Sequence, residues 1–510
     1  MSKQNSIEDI YALSPSQQGM LFHLLFGEEK GQVYFDQYVS TLAGPLDRAA
    51  WRQTWTRVME RHAALRTQFV WERREQPLQV VRRGIELPWQ EHDWRDLPEA
   101  EREERFAAFL REDHDRGFDL TKAPLMRCAV IRFSDEEARF VWSFHHLVVD
   151  GWSMGVILGE AFSVYQALAG GGEPRLERPR PFRDYIAWVQ KQDPVRAESF
   201  WRQTLRGFSI ANPLPFDGTG AGGDPTGWVS QEEILHLSEE LTAALRTHAR
   251  QHQLTLNTLV QGAWALLLGR YSGTDDVTFG GIVAGRPPEL DGVESMVDLF
   301  INALPVRVPL PADQPVAAWL KALQEQQTEQ REFEHSPIDQ ILGWSEVGRK
   351  GKLFETMLVF ENYPMDALRT GTAGLGLEVR TAHLSEASNF PLTLYVVPKG
   401  SVLELRLNYH WTRMNRDSTR RILSHLHTLF RNLTDRPGAR LRDLEILAPE
   451  ERRELLEAGR GPVAGAPEVS VLRGFEARAA EAPQAVAVES GAGRLTYAEV
   501  DSRATALAWH

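Results

Sequence analysis

The 510-residue chain has very little cysteine and no excess of basic residues. Cys128 is the only cysteine, so the chain can form neither an internal disulfide framework nor a thiolate metal cluster. Lysine and arginine together number 57, against 70 aspartates and glutamates, which gives a formal charge of −13. Because nucleic-acid-binding surfaces need a basic surplus to neutralise phosphates, this balance argues against nucleic acid as a partner.

Long apolar runs are also missing. No stretch is long and apolar enough to span a bilayer, and residues 1–10 are polar where a secretory signal would be apolar. We therefore expect a cytoplasmic protein that has no membrane partner. No group of His, Asp and Glu has metal-ligand spacing, so no metal site is predicted. The glycines at 170–172 lack the Lys-Ser/Thr that would follow in a phosphate loop.

The most informative segment that is present is HHLVVDGWS, which runs from His145 to Ser153 at the end of an apolar stretch. Residues 140–146 have the composition of a strand, and residues 152–168 have the periodicity of a helix. Side chains alternate along a strand, so the two imidazoles point in opposite directions and only one can serve a given substrate. Histidine titrates near neutral pH and can act as a general base. On residue types alone, a buried structural histidine pair is an equally good interpretation.

The rest of the chain alternates helical and strand patterns, which predicts a layered α/β fold. In the first half we predict helices at 46–62 and 100–116 and strands at 65–71, 78–82 and 125–133. In the second half we predict helices at 240–251 and 255–271 and strands at 276–283 and 303–308. The Pro/Arg-rich stretch at 175–181 is the natural crossing between the halves.

Six segments in order resemble the motifs of condensation domains of nonribosomal peptide synthetases. HHLVVDGWS resembles the HHxxxDG motif of that family, which other acyltransferases of the chloramphenicol acetyltransferase-like fold share. The other five are LSPSQQGMLFH at 13–23, RHAALRTQF at 61–69, FRDYIAW at 182–188, DLFINALPVR at 298–307 and EHSPIDQILGW at 334–344. The resemblance extends over roughly residues 8–445.

This resemblance implies a domain organisation. Residues 1–175 and 176–446 would be two chloramphenicol acetyltransferase-like lobes that form a V-shaped pseudo-dimer around a central tunnel. Residues 447–470 resemble the linker that follows such domains. Residues 471–510, with LTYAEV at 495–500, resemble a truncated start of an adenylation domain. We expect this last segment to be poorly ordered or only partly docked, and to have no adenylating activity.

The resemblance also implies roles for the residues of the motif. His146 would be the catalytic histidine, as a base or as a positioning group, while His145 would pack inward. Asp150 could orient His146 as in a catalytic triad, but the family favours a structural ion pair with a distant arginine. Arg286 is the candidate partner and Arg66 the alternative. Gly151 would keep the channel open beside His146. The candidate channel residues are Trp152, Ser153, Asn302, Ser388 and Asn389.

The implied reaction joins two thioesters held on the phosphopantetheine arms of carrier proteins, with no cofactor bound covalently to the chain itself. The acceptor amine attacks the donor thioester, and an amide forms. The partners would be a donor carrier, an acceptor carrier and a downstream adenylation domain. Because Met1 lies only about a dozen residues before the first motif, we expect the donor carrier to arrive from an upstream polypeptide.

Finer details of sequence favour one subtype without excluding others. The segments at 17–23, 142–146, 334–337 and 343–345 look most like domains that join a D-configured donor to an L-configured acceptor. A starter domain that acylates the first amino acid with a fatty acyl group is the alternative. A non-catalytic recruitment domain would be expected to have lost His146, and a stand-alone coenzyme A acyltransferase would not be followed by the 495–500 segment.

Overall fold

The computed structural model of the chain describes residues 6–26, 34–213, 230–348, 351–361, 377–385, 390–460, 470–490 and 493–508. It divides into two compact units, Met1–Ile446 and Leu447–His510. Across the described residues, no helix has both the length and the apolar character needed to cross a bilayer.

The first half of the larger unit alternates strands and helices. Its strands are β1 (Ile7–Ala12), β2 (Phe35–Ala43), β3 (Thr67–Val70), β4 (Leu78–Arg82), β5 (Trp89–Asp93), β6 (Met126–Arg132) and β7 (Glu137–His145). Its helices are α1 (Pro15–Phe26), α2 (Arg48–Arg61), α3 (Glu99–Arg116) and α4 (Gly151–Ala169). The prediction of one strand over residues 65–71 is wrong at its start, because a 3₁₀ turn at Ala64–Arg66 precedes β3.

The second half of this unit contains more helix. Its helices are α5 (Arg183–Val189), α6 (Pro194–Thr204), α7 (Glu239–Gln251), α8 (Leu256–Ser272), α9 (Val316–Gln330), α10 (Ile338–Trp344) and α11 (Arg416–Asp435). Its strands are β8 (Ser230–His236), β9 (Asp276–Val283), β10 (Asn302–Pro309), β11 (Thr356–Phe360), β12 (Glu378–Ser385), β13 (Leu392–Lys399) and β14 (Val402–His410).

Three sheets organise the larger unit. A six-stranded sheet with the order β10-β9-β11-β13-β14-β8 belongs to the second half, and a small sheet β1-β4-β3 to the first. A five-stranded sheet has the order β12-β2-β7-β6-β5, so one of its strands comes from the second half. β12 pairs antiparallel with β2 over Glu378–Ser385. A division at residue 175 therefore separates the halves along the chain but not within this sheet.

The core of the first half explains why the HHLVVDGWS segment is held rigidly. Phe140, Trp142 and Phe144 of β7 are buried against α4, whose Ile157 and Phe162 face the sheet. On the same face α2 contributes Trp51 and Trp55, which pack edge-on or tilted against Phe140. Buried aromatic side chains of this size dominate core energetics, so β7 and α4 are fixed relative to each other by packing on this face of the sheet.

The smaller unit contains helices and a two-stranded sheet. The described part of residues 471–510 forms α13 (Val471–Glu481), β15 (Val486–Ser490), β16 (Gly493–Thr496) and α14 (Tyr497–Ala508). A further helix, α12 (Pro449–Ala458), precedes them, and β15 pairs antiparallel with β16. No described side chain of this unit is buried. The described residues of this unit form hydrogen-bonded helices and strands, but they have no buried core.

Candidate active site

The HHLVVDGWS segment forms the link between β7 and α4. β7 ends at His145, and α4 begins at Gly151 with Asp150 as its N-cap. The Asp150 carboxylate accepts a hydrogen bond of 2.7 Å from the backbone N–H of Ser153. Aspartate at this position satisfies one of the free N–H groups of the first turn, which is why the helix begins here.

His145 lies inside the protein. Its Nδ1 accepts a hydrogen bond of 3.1 Å from the backbone N–H of Leu147, and its ring lies near Tyr34 and Phe118. Burial, together with the neighbouring His146, lowers the pKa of His145 to about 3. A ring that stays neutral and uses its acceptor nitrogen on the backbone cannot act as the base, so His145 shapes the loop.

His146 is the imidazole that remains accessible. Its side chain is 17% exposed, whereas His145 is 5% exposed. Its backbone N–H donates to the carbonyl of Tyr34 at 2.8 Å, which extends the pairing of β2 and β7 by one residue. Its Nδ1 lies 2.6 Å from Oδ2 of Asp36. Because a carboxylate only accepts hydrogen bonds, the proton lies on Nδ1 and the basic lone pair on Nε2.

Asp36 is a residue of this site that the sequence analysis missed. β2 and β7 pair antiparallel with Asp36 opposite Phe144, so His146, two residues further, lies diagonally across on the same face. Almost all residues of β2 are buried, and a carboxylate within such a strand is the signal that could have identified Asp36. The register that brings Asp36 to His146 depends on the fold, because 110 residues separate them.

Asp150 does not orient His146; its carboxylate is directed at the second half of the unit. Oδ2 accepts hydrogen bonds from the backbone N–H groups of Phe300 at 2.9 Å and Ile301 at 3.3 Å. Oδ1 lies 3.5 Å from Nη2 of Arg286, and both side chains are buried. Arg66, the alternative partner, instead forms an ion pair of 2.6 Å with Glu8.

Arg286 is held through both of its terminal guanidinium nitrogens. Its guanidinium donates to the carbonyls of Val293 and Met296 and to Ser153 Oγ, and it lies 3.9 Å from the centre of the Phe300 ring. Burial lowers its pKa, and the Asp150 carboxylate opposes that shift. The preceding Gly285 has a φ of 62°, and a Cβ there would lie 2.0 Å from the Phe300 carbonyl oxygen. Only glycine allows this close approach of the two segments.

A second connection joins the loop to the second half. Gln17 Nε2 donates to the carbonyl of Leu147 at 3.0 Å and to Oδ1 of Asp298 at 2.8 Å. Asp298 is fully buried, and burial raises its pKa well above the usual range. Three segments that the sequence analysis treated as separate motifs, at 13–23, 145–153 and 298–307, therefore meet at this loop.

The structure corrects two of the five candidate channel residues. Ser153 is fully buried, and its hydroxyl donates to the Asp298 carbonyl at 2.7 Å and accepts from the Asp298 N–H. Asn302 is buried, and its amide donates to the carbonyls of Glu334 and Ser336. These groups are committed to the protein itself, so both residues are structural supports. Sequence analysis could not distinguish a buried polar group of this kind from a channel-lining one.

The other candidates lie elsewhere or outside the described part. Trp152 is partly exposed and donates from Nε1 to the Glu294 carbonyl at 2.9 Å. Gly151 is the first residue of α4 and is buried. Ser388 and Asn389 lie outside the described residues. Within the described ranges, no group of three His, Cys, Asp or Glu side chains is arranged to hold a metal ion.

Comparisons with known proteins give the family and the fold. A sequence profile described as a condensation domain matches residues 7–456. Among curated proteins, linear gramicidin synthase subunits D and C of Brevibacillus parabrevis are each 42% identical, over 98% and 100% of this chain. The chain spans only 10% and 6% of those two proteins.

A solved structure shows the same architecture. The condensation domain of the monacolin K polyketide synthase superposes with a TM-score of 0.71 at 17% identity, over 86% of this chain and 100% of that one. Identity this low is evidence of fold only. The predicted α/β fold of two chloramphenicol acetyltransferase-like lobes is thereby confirmed.

Proposed function

Because this chain belongs to the condensation-domain family of nonribosomal peptide synthetases, we propose that it forms amide bonds between two thioester-bound substrates. The acceptor's α-amine attacks the donor's thioester carbonyl, and the donor is transferred to the acceptor. Both substrates are held on phosphopantetheine arms that partner carrier proteins present. The arms are therefore substrates of the site, and the chain supplies His146.

The observation that supports this proposal best is the contrast between the two histidines. His145 is buried and neutral, and its acceptor nitrogen is used by the backbone. His146 is partly exposed at the same loop, with its Nδ1 2.6 Å from Asp36 Oδ2. A histidine held in one tautomer at the surface of a rigid loop suits proton transfer to or from an attacking amine. A purely structural histidine pair would not need this difference in exposure.

Positioning supplies the other part of the proposed catalysis. Holding two reactants in line converts a bimolecular step into an effectively unimolecular one, which can lower a barrier by roughly 7–11 kcal/mol. The loop that carries His146 is tied to the second half through Asp150, Ser153 and Gln17. These contacts fix the histidine relative to both halves, so that two separately tethered substrates can meet at one ring.

The partners follow from the proposed reaction. A donor carrier and an acceptor carrier must each deliver a thioester, and the much greater length of the related synthetases is compatible with such neighbours. That the donor carrier belongs to an upstream polypeptide stays a prediction. So does the assignment of residues 471–510 to an adenylation domain.

We infer the finer specificity from sequence resemblance alone: a D-configured donor is joined to an L-configured acceptor. The starter reaction with a fatty acyl donor is the competing possibility. A non-catalytic recruitment domain is disfavoured, because His146 is present and contacts Asp36. These alternatives differ in the donor that is consumed, so the donor is the variable to change.

The test is a condensation assay with the 510-residue chain and two separately loaded carriers. The donor carrier is loaded with a D-aminoacyl, an L-aminoacyl or a fatty acyl group, and the product on the acceptor carrier is identified by mass spectrometry. We expect amide product from the D-aminoacyl donor, and none from a free coenzyme A thioester in place of the donor carrier. Product from the fatty acyl donor alone would establish the starter reaction, and no product from any donor would overturn the proposed function.

A further inference from the structure

We infer that Asp36 is a positioning residue for the condensation reaction, acting through His146. This inference rests on the proposed function and adds a residue to it. The separation of 2.6 Å between Asp36 Oδ2 and His146 Nδ1 is within the range of charge-assisted hydrogen bonds. The carboxylate is 5% exposed, so little solvent competes with the histidine for it.

The pairing of β2 with β7 sets the position of Asp36 relative to the His146 ring. Asp36 is the second residue of a continuous antiparallel register that runs from Phe35 opposite His145 to Ala43 opposite Glu137. β2 is also paired on its other side with β12. That second ladder ends at Gln37, so the pairing with β7 alone sets the position of Asp36, and a one-residue slip there would turn the carboxylate to the other face of the sheet.

The charges around the ring favour the same role. The titratable groups near this loop include Asp36 on β2, Tyr34 before it, His145 on β7 and Asp150 at the start of α4. His145 is neutral, and Asp150 is engaged with Arg286 and two backbone N–H groups. The Asp36 carboxylate lies 2.6 Å from the ring, so it stabilises a positive charge that forms there.

The reaction step can be written with its protons and electrons balanced. The amine nitrogen forms a bond to the thioester carbonyl carbon, and the carbonyl π electrons move to oxygen. His146 takes the excess proton from this nitrogen at Nε2, which gives an imidazolium whose Nδ1–H donates to Asp36. As the oxygen electrons re-form the carbonyl, the carbon–sulfur bond breaks and the leaving sulfur receives that proton. The products are an amide and a free thiol, with His146 neutral again.

A charge-removing variant with a matched control tests the inference. Asp36→Asn keeps the size of the side chain but removes its charge. Asp113→Asn removes a carboxylate that is also buried and bonded to the same strand pair, at Gln37 and Ser143, through the opposite face. If the loss of buried charge merely weakens the fold, both variants should melt earlier and behave alike in every other measurement.

Two measurements on the full chain separate the possibilities. The first follows the His146 ring by NMR across pH, with its signal assigned from its absence in His146→Gln. The second is the pH profile of single-turnover amide formation with saturating carriers. For Asp36→Asn we expect the midpoint of ring protonation to fall by about 1 pH unit or more, since an opposite charge at this distance favours the charged ring. We also expect the turnover rate to fall by about 10²-fold or more, with unchanged carrier saturation.

The results that overturn the inference are distinct from those that overturn the function. An unshifted midpoint in folded Asp36→Asn, or a rate loss no larger than that of Asp113→Asn, shows that Asp36 does not act through His146. If the wild-type chain forms no amide from any donor, the proposed function fails, and the role of Asp36 in it fails as well. The NMR titration requires no carrier, so it reports the contact in either case.

Discussion

Asp150 and Arg286 form a buried ion pair of 3.5 Å that joins the start of α4 to the second half of the same unit. The two residues are 136 positions apart in the chain. The carboxylate also accepts the backbone N–H groups of Phe300 and Ile301. All of these contacts tie the loop that carries His146 to the second half of the unit.

Replacing Asp150 by alanine should destabilise the fold strongly. Removing one partner of a buried ion pair leaves the other charge uncompensated and typically costs about 3–5 kcal/mol. The midpoint of urea unfolding, followed by tryptophan fluorescence, measures this loss. Asp93→Ala is the control, because Asp93 pairs with Arg95 at the surface and exposed pairs contribute about 1 kcal/mol or less. Equal midpoints for the two variants would contradict a structural role for Asp150.

Asp298→Asn should make the protein more stable in alkaline buffer. Burial raises the pKa of Asp298 above its ordinary value of 3.8, so the folded state keeps a proton that the unfolded chain releases. The resulting stability is complete below pH 3.8 and is lost progressively as the pH rises toward the folded value.

Asparagine at position 298 keeps an oxygen that accepts from Gln17 Nε2 and from the Leu299 N–H. Because it does not titrate, the variant does not lose stability in this way as the pH rises. We expect its melting temperature to exceed that of the wild type at pH 8 by about 2 °C or more, and the gap to close near pH 4. A melting temperature below that of the wild type at pH 8 would show that a charged Asp298 carboxylate stabilises the folded state. Asp113→Asn, which breaks an ion pair with Arg127, should lose stability instead.

His145→Asn should make the protein less sensitive to acid. The folded pKa of His145 is about 3 against an ordinary value of 6.5. The unfolded chain therefore takes up a proton below pH 6.5 that the folded state refuses until about pH 3, and stability falls across this window. Asparagine can still accept from the Leu147 N–H but does not titrate.

The loss of the ring will lower stability by an amount that does not vary with pH, so the slope is the quantity to compare. We expect the melting temperature to fall less steeply between pH 6.5 and pH 4.5 in His145→Asn than in the wild type. Parallel curves would mean that His145 is protonated in the folded protein.

The local elements were predictable from sequence because their signals are local. The prediction of a strand at 78–82 matches β4, and that of a helix at 46–62 differs from α2 by only a few residues. Apolar periodicity carries this information within a few turns or a single strand.

The contacts that define the site were less accessible. The pairing of Asp36 with His146 and of β12 with β2 depends on register between segments far apart in the chain. Ser153 and Asn302 were predicted to line a channel. The residue type of a polar side chain in a motif does not show whether it faces a substrate or, as here, a buried carbonyl. Burial decides between the two, and burial follows from the complete fold.

The most direct test of the account is the rate of amide formation by His146→Ala with both carriers loaded. The variant leaves the buried Asp36 carboxylate without its contact to the ring, so we expect a lower melting temperature, and the rate is measured on chain that circular dichroism shows to be folded. We predict a single-turnover rate lower by about 10²–10⁴-fold, the range for loss of a general base. A folded His146→Ala chain that forms amide at the wild-type rate would contradict the account.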